Sequence, residues 1–323
     1  DELNIRLLVY NSSIENQIDK LIKKYDVTAI YYQKEWTDEE VKNINLLKKS
    51  LPINVSIHEC YDQFLFHPDD VTVHYKETPG VFTQFRKQLE KKISVRPLVH
   101  VHSQEITSKI EMDFEIPTLE QLGFEDFEID SRTAFPFKGG STTAGERLNN
   151  YFFKTKSLGI YKKTRNGLMG ENYSSKFSPW LANGSLSARQ IYWKVKEFED
   201  EFYANQSTYW LVFELIWRDF FKYISMKHGN SIFKLEGILN ANYNWSENSK
   251  FINEWTDGRT ADDFVNANMI ELKNTGWMSN RGRQNVASYL AKNLKIDWRI
   301  GAAYFESMLL DYDVHSNYGN WMY

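Results

Sequence analysis

An apolar stretch in the middle of the chain carries three side chains that could do chemistry. Residues 209–221 read Tyr-Trp-Leu-Val-Phe-Glu-Leu-Ile-Trp-Arg-Asp-Phe-Phe, so we predict a helix that is buried nearly all round. Glu214, Trp217 and Arg218 share one face of it. A buried carboxylate and guanidinium must be paired or face a polar cavity, because an unpaired buried charge is costly. A structural ion pair beside a core tryptophan and a functional site both fit this pattern.

A second cluster lies in the sequence Thr-Gly-Trp-Met-Ser-Asn-Arg-Gly-Arg-Gln-Asn at residues 275–285. Asn280, Arg283 and Gln284 would meet on one face of a helix. Their planar hydrogen-bonding groups suit a phosphate or a heterocycle.

Two carboxylates, Asp311 and Asp313, follow a predicted apolar helix over residues 300–310. Paired carboxylates could serve a metal or acid–base chemistry, yet no His or Cys stands beside them at metal-ligand spacing. We therefore predict no metal site. His315 stands alone, and we expect it in a solvated loop.

The first hundred residues alternate strand-like and helix-like patterns. Residues 3–10, 28–32 and 54–58 read as strands, with helical patterns at 14–22 and 38–49. This alternation predicts an α/β domain with a doubly wound parallel sheet over residues 1–106.

The rest of the chain has a different character. Residues 107–145 are acidic and contain Pro and Gly, as expected of an interdomain linker, and residues 146–323 are helical in pattern. We predict that this second domain is all-α. Its apolar helix should have Ser207 as the N-cap and Gly229 as the C-cap.

Composition narrows the function classes. The chain has 323 residues, 42% of them hydrophobic, and its single cysteine, Cys60, excludes an internal disulfide framework. We expect a reducing, cytoplasmic compartment, with no secretion signal and no membrane segment. The first glycine is Gly80, so the usual dinucleotide loop of a nicotinamide enzyme is absent before it.

Charge alone does not decide whether the chain binds nucleic acid. The net charge of −4 argues against a uniformly basic binder. Basic residues nevertheless gather between 154 and 176 and between 281 and 299, where either a local binding patch or a solvated helix face would fit.

Several motifs together resemble the flavin domain of the photolyase/cryptochrome family. They are Tyr161, the run Ser174–Leu181, Glu214-x-x-Trp217-Arg218-Asp219 and Asn280-Arg281-Gly282-Arg283. The stretches 164–168, 278–288 and 316–321 look like the DASH branch in particular. The resemblance is loose before residue 95 and close after residue 130.

The resemblance implies that the second domain binds FAD in a U shape. The phosphate side would be contacted by Tyr161, Ser174, Ser175, Lys176, Phe177, Ser178 and Arg218. Asn280 and Arg283 match residues around the flavin and adenine, and Asp311 and Asp313 match ring-edge and ribose contacts. Asn317 matches the position that faces flavin N5. Such hydrogen bonds tune how readily the ring holds extra electrons.

The resemblance also implies a reaction and a substrate. Glu214 and Trp217 match the pair that contacts a flipped pyrimidine dimer, and Asn280 and Asn317 complete the expected catalytic set. The implied activity is repair of cyclobutane dimers by electron transfer from reduced flavin under blue or near-UV light, preferentially in single-stranded DNA. Blue-light photoreception or nucleic-acid binding without repair stays open as the alternative.

Three tryptophans match the family's electron relay toward the flavin. They are Trp321, Trp298 and Trp245, with Trp245 outermost. Ordinary core packing is the alternative, since a Trp-rich helical domain needs large side chains in its core anyway.

The remaining expectations concern the ends and partners of the chain. Glu59 stands where related proteins hold a folate antenna, such as methenyltetrahydrofolate. Relative to the family, the opening strand and helix and the terminal helices are missing, so we expect a fragment with a partial first domain and an incomplete second one. We expect a monomer that binds dimer-containing single-stranded DNA and no membrane.

Overall fold

A computed structural model describes residue 5 and residues 7–71, 74–99 and 116–322. Two strands, β1 (Ala29–Gln33) and β2 (Ser56–Cys60), form a parallel pair in which Ala29 lies opposite Ser56. Thirteen α-helices occur in the described residues: α1 Ile14–Tyr25, α2 Asp38–Ser50, α3 Phe82–Lys92, α4 Ser141–Asn149, α5 Tyr161–Thr164, α6 Ser178–Ala182, α7 Ala188–Glu201, α8 Gln206–His228, α9 Ser249–Thr256, α10 Asp263–Thr275, α11 Asn280–Ser288, α12 Trp298–Met308 and α13 Val314–Met322.

The predicted fold class is confirmed, since a small parallel sheet is followed by a helical domain. The helix α2 connects β1 to β2, as a parallel crossover requires. The strand predicted over residues 3–10 is wrong in its described part, because residues 7–10 are not strand. Residues 3, 4 and 6 lie outside the described residues, as do residues 107–115 of the predicted linker.

The described residues form two compact units, and each unit combines two separate stretches of the sequence. One unit contains residues 1–60 and 97–128, and the other contains residues 61–96 and 129–323. This division differs from the predicted boundary at residue 106. The reason is the apolar face of α3, where Phe82 and Phe85 pack against aromatic side chains of α8.

The long helix α8 organises the second unit, and it packs against α3, α5, α7 and α13. Its N-cap is Asn205 and not the predicted Ser207, because the Asn205 side chain accepts from the backbone N–H groups of Ser207 and Thr208. The predicted C-cap Gly229 is confirmed, with a positive φ of 52°.

An apolar core lies among α9 to α12, and the fully buried Trp255, Met269 and Leu290 belong to it. The helix α11 approaches α10 closely at Gly282. A Cβ there would lie 2.0 Å from Asn268 Oδ1, so only glycine fits at this crossing. This approach places α11 beside the cavity described next.

Candidate functional site

A cavity of about 1290 Å³ opens within the helical unit. Its lining includes every side chain that the sequence predicts to contact the flavin or the dimer, together with the three predicted relay tryptophans: Tyr161, Ser174, Ser175, Lys176, Phe177, Ser178, Glu214, Trp217, Arg218, Trp245, Asn280, Arg283, Trp298, Asp311, Asp313, Asn317 and Trp321. The structure therefore brings into one place residues that are up to 160 positions apart in the sequence. Glu59 belongs to the other unit.

An ion pair between Arg283 and Asp311 forms part of the cavity wall. Arg283 Nη2 lies 2.9 Å and 3.0 Å from the two carboxylate oxygens of Asp311, and Arg283 Nε donates to the backbone carbonyl of Met278 at 2.9 Å. The Asp311 side chain is almost fully buried, and that of Arg283 is largely buried. The pair fixes a planar charged group between α11 and the loop before α13.

A second buried carboxylate, Asp313, lies opposite a lysine of α8. Lys222 Nζ is 3.4 Å from Asp313 Oδ2, and Asp313 Oδ1 accepts from the backbone N–H of Ser316 at 2.8 Å. Burial alone would raise the pKa of Asp313, but electrostatic interactions, that with Lys222 foremost and those with His315 and Arg218 after it, hold it below its ordinary range. Asp313 is therefore an anion directly before the first residue of α13.

The helix α13 is anchored to its neighbours by two polar side chains. Asn317 Nδ2 donates to the carbonyl of Ala302 at 3.0 Å, which fixes the orientation of the amide. His315 is buried, and its Nδ1 lies 2.7 Å from Ser225 Oγ. The expectation that His315 lies in a solvated loop is wrong, because the start of α13 turns it toward α8.

The cavity contains a buried ammonium group, that of Lys176. The residue is 2% exposed, and its Nζ has no hydrogen-bond partner among the described residues. The ammonium lies 3.5 Å and 4.4 Å from the ring centroids of Tyr173 and Trp277. Burial lowers the pKa of Lys176 to about 7. An unpartnered ammonium in a cavity lined with hydroxyl groups fits an anionic ligand such as the diphosphate of FAD.

Arg147 of α4 holds the segment that presents these hydroxyl groups. Its guanidinium donates to the backbone carbonyls of Glu171, Ser174 and Ser175 at distances of 2.9 to 3.2 Å, and to Asn172 Oδ1. Sequence reasoning missed Arg147, because its partners lie 24 to 28 residues away and no local pattern links them. Arg147 thereby shapes the part of the wall that contains Ser174 and Ser175.

Glu214 is paired, but its partner is Arg165 and not Arg218. Arg165 Nη1 lies 2.7 Å from Glu214 Oε1. Burial raises the pKa of Glu214, and the charge of Arg165 opposes part of this rise. The two Nη atoms of Arg218 instead donate to the backbone carbonyls of Gln63 and Leu181 at 2.5 Å and 3.1 Å. Arg218 thus supports the wall while it lines the cavity.

The three predicted relay tryptophans each pack against another aromatic ring. Trp298 lies edge-on to Tyr318 at 6.0 Å, Trp321 to Phe305 at 5.3 Å and Trp245 to Tyr243 at 5.6 Å. No ring contact among the described residues joins two of the three indoles. Trp298 is the buried member, and its Nε1 donates to the carbonyl of Leu235 at 3.1 Å. The relay stays a prediction.

Glu59 lies on β2 at the centre of a polar cluster in the first unit. Its carboxylate accepts from Tyr32 Oη at 2.5 Å and from Lys48 Nζ at 2.8 Å, and Lys34 Nζ lies 3.1 Å away. The hydrogen bonds from Lys48 and Tyr32 lower the pKa of Glu59 to about 2. Glu59 is therefore an anion throughout the physiological range, and its side chain is already engaged within its own unit.

Within the described residues, no group of three or more His, Cys, Asp or Glu side chains is placed to hold a metal ion. The helices in this part of the chain also include none that is long and apolar enough to cross a membrane.

Lys176 gives the flavin-free protein a testable pH dependence. Its pKa is about 7 in the folded chain and near 10.4 in an unfolded one, so the unfolded chain binds more protons between these values. Stability should therefore rise with pH across this window, by at most ~1.4 kcal/mol per pH unit. Urea unfolding between pH 7 and 9.5 should show this rise in the parent, and Lys176→Met should flatten it.

The exposed Lys163 offers a matched control for this experiment. Lys163→Met should keep the pH dependence of the parent, since its ammonium is already in water. An unchanged slope in Lys176→Met would show that the buried ammonium does not titrate in this window.

Comparison with known proteins gives the same family at both ends of the chain. Residues 1–104 match the family model described as DNA photolyase, and residues 210–323 match the FAD binding domain of DNA photolyase. Cryptochrome DASH of Natronomonas pharaonis is 42% identical over 318 residues, which cover 98% of this chain and 67% of that protein. The chain belongs to the photolyase/cryptochrome family, in its DASH branch.

Other DASH relatives extend this finding. Cryptochrome DASH of Synechocystis is 46% identical over 98% of this chain and 65% of its own length. The crystal structure of the Synechocystis sp. PCC6803 cryptochrome superposes with a TM-score of 0.92 at 44% identity, covering 99% of this chain and 66% of that one. The present chain thus spans just under two thirds of these Synechocystis proteins.

Proposed function

We propose that this DASH-family chain binds FAD and uses blue or near-UV light to repair cyclobutane pyrimidine dimers, preferentially in single-stranded DNA. The observation that carries the proposal is the single cavity in which the residues matching flavin contacts and those matching dimer contacts face the same space. An enzyme that transfers an electron from cofactor to lesion needs both within one enclosure.

The cavity residues divide into groups by the part of FAD they would hold. The hydroxyl and amide groups of Tyr161 and residues 174–178, with the ammonium of Lys176, would replace water around the diphosphate. Asn280 and Arg283 would lie around the flavin and adenine, and Asp311 and Asp313 would bind the ring edge and ribose. Asn317 would face flavin N5, with its amide fixed by Ala302. When bound and reduced, the flavin supplies the electron for dimer splitting.

The dimer would lie against Glu214 and Trp217, which occupy successive turns of α8 on the cavity side. A dimer must leave the base stack to reach this enclosure, and unpairing costs least when the strand is already single. Glu214 would hydrogen-bond the flipped bases and Trp217 would pack against them.

Blue-light photoreception without repair is the alternative function. The observation that favours it is the Arg165–Glu214 ion pair, because a carboxylate oxygen already held by a guanidinium must be shared with a lesion. Both functions use the same flavin cavity, and they differ in whether Glu214 acts on DNA.

Glu214→Gln distinguishes the two functions. The substitution keeps the shape of the side chain and removes its charge, so a charge-assisted hydrogen bond worth about 1.5–3 kcal/mol would be lost. We expect dimer repair in single-stranded DNA to fall roughly 10- to 100-fold in kcat/KM. Initial rates on a thymine-dimer oligonucleotide, single-stranded and in duplex, provide the measurement.

Glu197→Gln serves as the control for loss of a carboxylate, since Glu197 is exposed on α7 and pairs with Lys194. It should repair at the parental rate. Equal repair of single-stranded and duplex DNA by the parent would contradict the proposed preference for single-stranded DNA. Flavin-loaded parent without any light-dependent repair would favour the photoreceptor.

Three further proposals concern the antenna, the assembly and the compartment. Glu59 would contact a folate antenna, the chain would act as a monomer, and it would work in the cytoplasm. The domain limits at residues 106 and 146 are also kept as a proposal for the whole protein.

A further inference from the structure

The indole of Trp217 is stacked face to face on a ring from outside α8. The centroid of Phe82 lies 3.6 Å from that of Trp217, and the two planes are inclined by 9°. Phe82 is the first residue of α3, in the part of the chain that sequence order assigns to the α/β domain. It does not line the cavity, whereas Trp217 does.

Phe82 is itself held in place by side chains of α8. It is 3% exposed, and its ring meets Phe213 edge-on at 5.1 Å and Phe220 edge-on at 5.6 Å. A ring enclosed in this way has few rotamers open to it, because interiors are close-packed. Phe82 therefore gives Trp217 a fixed surface on which to stack.

The helix α3 that carries Phe82 is anchored to α8 at two more points. Phe85 packs on Phe220 and Tyr223 one turn further along. Beside Phe85, Arg86 Nη1 donates to Tyr209 Oη of α8 at 2.7 Å, and within α3 it pairs with Glu90 Oε2 at 2.6 Å. The position of Phe82 relative to Trp217 thus follows from the docking of a whole helix.

Stacking on one face restricts how the indole can turn toward the cavity. Since an aromatic side chain otherwise rotates about χ1 and χ2, a ligand that packs against it must bear the cost of ordering it. With the indole already ordered by Phe82, the linked bases of a dimer would meet a surface in its binding orientation.

We infer that Phe82 is a positioning residue that orients Trp217 for a flipped pyrimidine dimer. The inference rests on the proposed function for its substrate, while the orienting contact itself is a property of the chain. The α3 segment is then a supporting part of the lesion site, although it ends more than 110 residues before α8 begins.

The test compares Phe82→Leu with Phe85→Leu. Both residues are 3% exposed on α3, and both substitutions keep an apolar side chain, but only Phe82 stacks on Trp217. The dissociation constants of a thymine-dimer single strand and of the undamaged strand are measured in the dark by fluorescence anisotropy. Flavin absorbance and unfolding by urea are recorded for each variant.

We expect Phe82→Leu to weaken dimer binding roughly three- to tenfold, the effect of disordering one side chain at an interface. Binding of undamaged strand and flavin content should stay parental. Phe85→Leu should lower stability to a similar extent with a much smaller loss of dimer affinity, because Phe85 packs on Phe220 and Tyr223 and does not stack on Trp217. Equal losses of dimer affinity in both variants, or none in Phe82→Leu, would overturn the inference.

A readout without DNA separates this inference from the proposed function. Near-UV circular dichroism of Phe82→Leu should lose the same aromatic band as Trp217→Phe, and the double variant should lose no more. If the parent fails to prefer dimer-containing DNA but the two variants share this loss, the substrate is wrong and the orienting contact stands. If the two losses simply add, the contact does not orient Trp217.

Discussion

Asp311→Asn should destabilise the helical unit and abolish stable FAD binding. The substitution leaves the largely buried guanidinium of Arg283 without its counter-charge in the cavity wall. Removing one partner of a buried ion pair typically lowers the free energy of unfolding by about 3–5 kcal/mol. Because Arg283 is partly exposed, we expect a loss of about 3 kcal/mol. Urea unfolding followed by circular dichroism gives the free energy, and gel filtration after incubation with FAD gives the flavin content.

The matched control is Asp257→Asn, which breaks a pair of similar chemistry at the surface. Asp257 lies 2.7 Å from Arg259 Nη2 and 2.8 Å from Lys273 Nζ, and about a third of its side chain is exposed. Water screens such pairs, so the free energy of unfolding should fall by less than ~1 kcal/mol. Flavin binding should stay at the parental level. Similar losses in the two variants would show that the Arg283–Asp311 pair has no special role.

Trp298→Phe should remove most of the rate at which light reduces bound FAD in the presence of an external reductant. A phenyl ring is a much poorer one-electron donor than an indole, and Trp298 is the buried one of the three predicted relay tryptophans. The smaller ring and the lost bond to Leu235 should cost about 1–2 kcal/mol of stability. The absorbance of oxidised flavin under steady illumination measures the effect.

Trp255→Phe controls for loss of a buried indole outside the cavity. Trp255 is fully buried, and its Nε1 also donates to a backbone carbonyl, that of Val286 at 3.0 Å. It should lose stability as Trp298→Phe does while photoreduction continues at the parental rate. Dimer repair by chemically pre-reduced Trp298→Phe should persist. Parental photoreduction in Trp298→Phe would identify the three tryptophans as core residues.

The sequence predicted those features that depend on local spacing. Helix α2 was expected over residues 38–49 and ends one residue later, and the long apolar run correctly indicated the buried α8. The family resemblance, and not local spacing, indicated the flavin and dimer contacts, and all of these residues line one cavity.

Features that depend on distant contacts could not be predicted in this way. Nothing near Glu214 in sequence indicates that Arg165 is its partner, and Arg147 carries no local sign that it holds the 171–175 segment. His315 resembles a loop residue until α13 packs it on Ser225. The prediction of a strand over residues 7–10 is wrong, because an apolar run becomes a strand only where a neighbouring strand pairs with it.

The placement of α3 shows the same limit at the level of whole units. No helix is among the sequence predictions for residues 82–92, and even an amphipathic pattern does not say which surface its apolar face will meet. Phe82 and Phe85 find their partners on α8, so a helix from the first hundred residues supports the proposed lesion site.

The central claim, that the cavity of the helical unit holds FAD, is tested most directly by an absorption spectrum. The purified chain is incubated with excess FAD, freed of unbound flavin by gel filtration and scanned from 300 to 550 nm beside a circular-dichroism spectrum. The account predicts the bands of bound flavin in equimolar amount with the protein. A folded, helical chain that retains no flavin would contradict it.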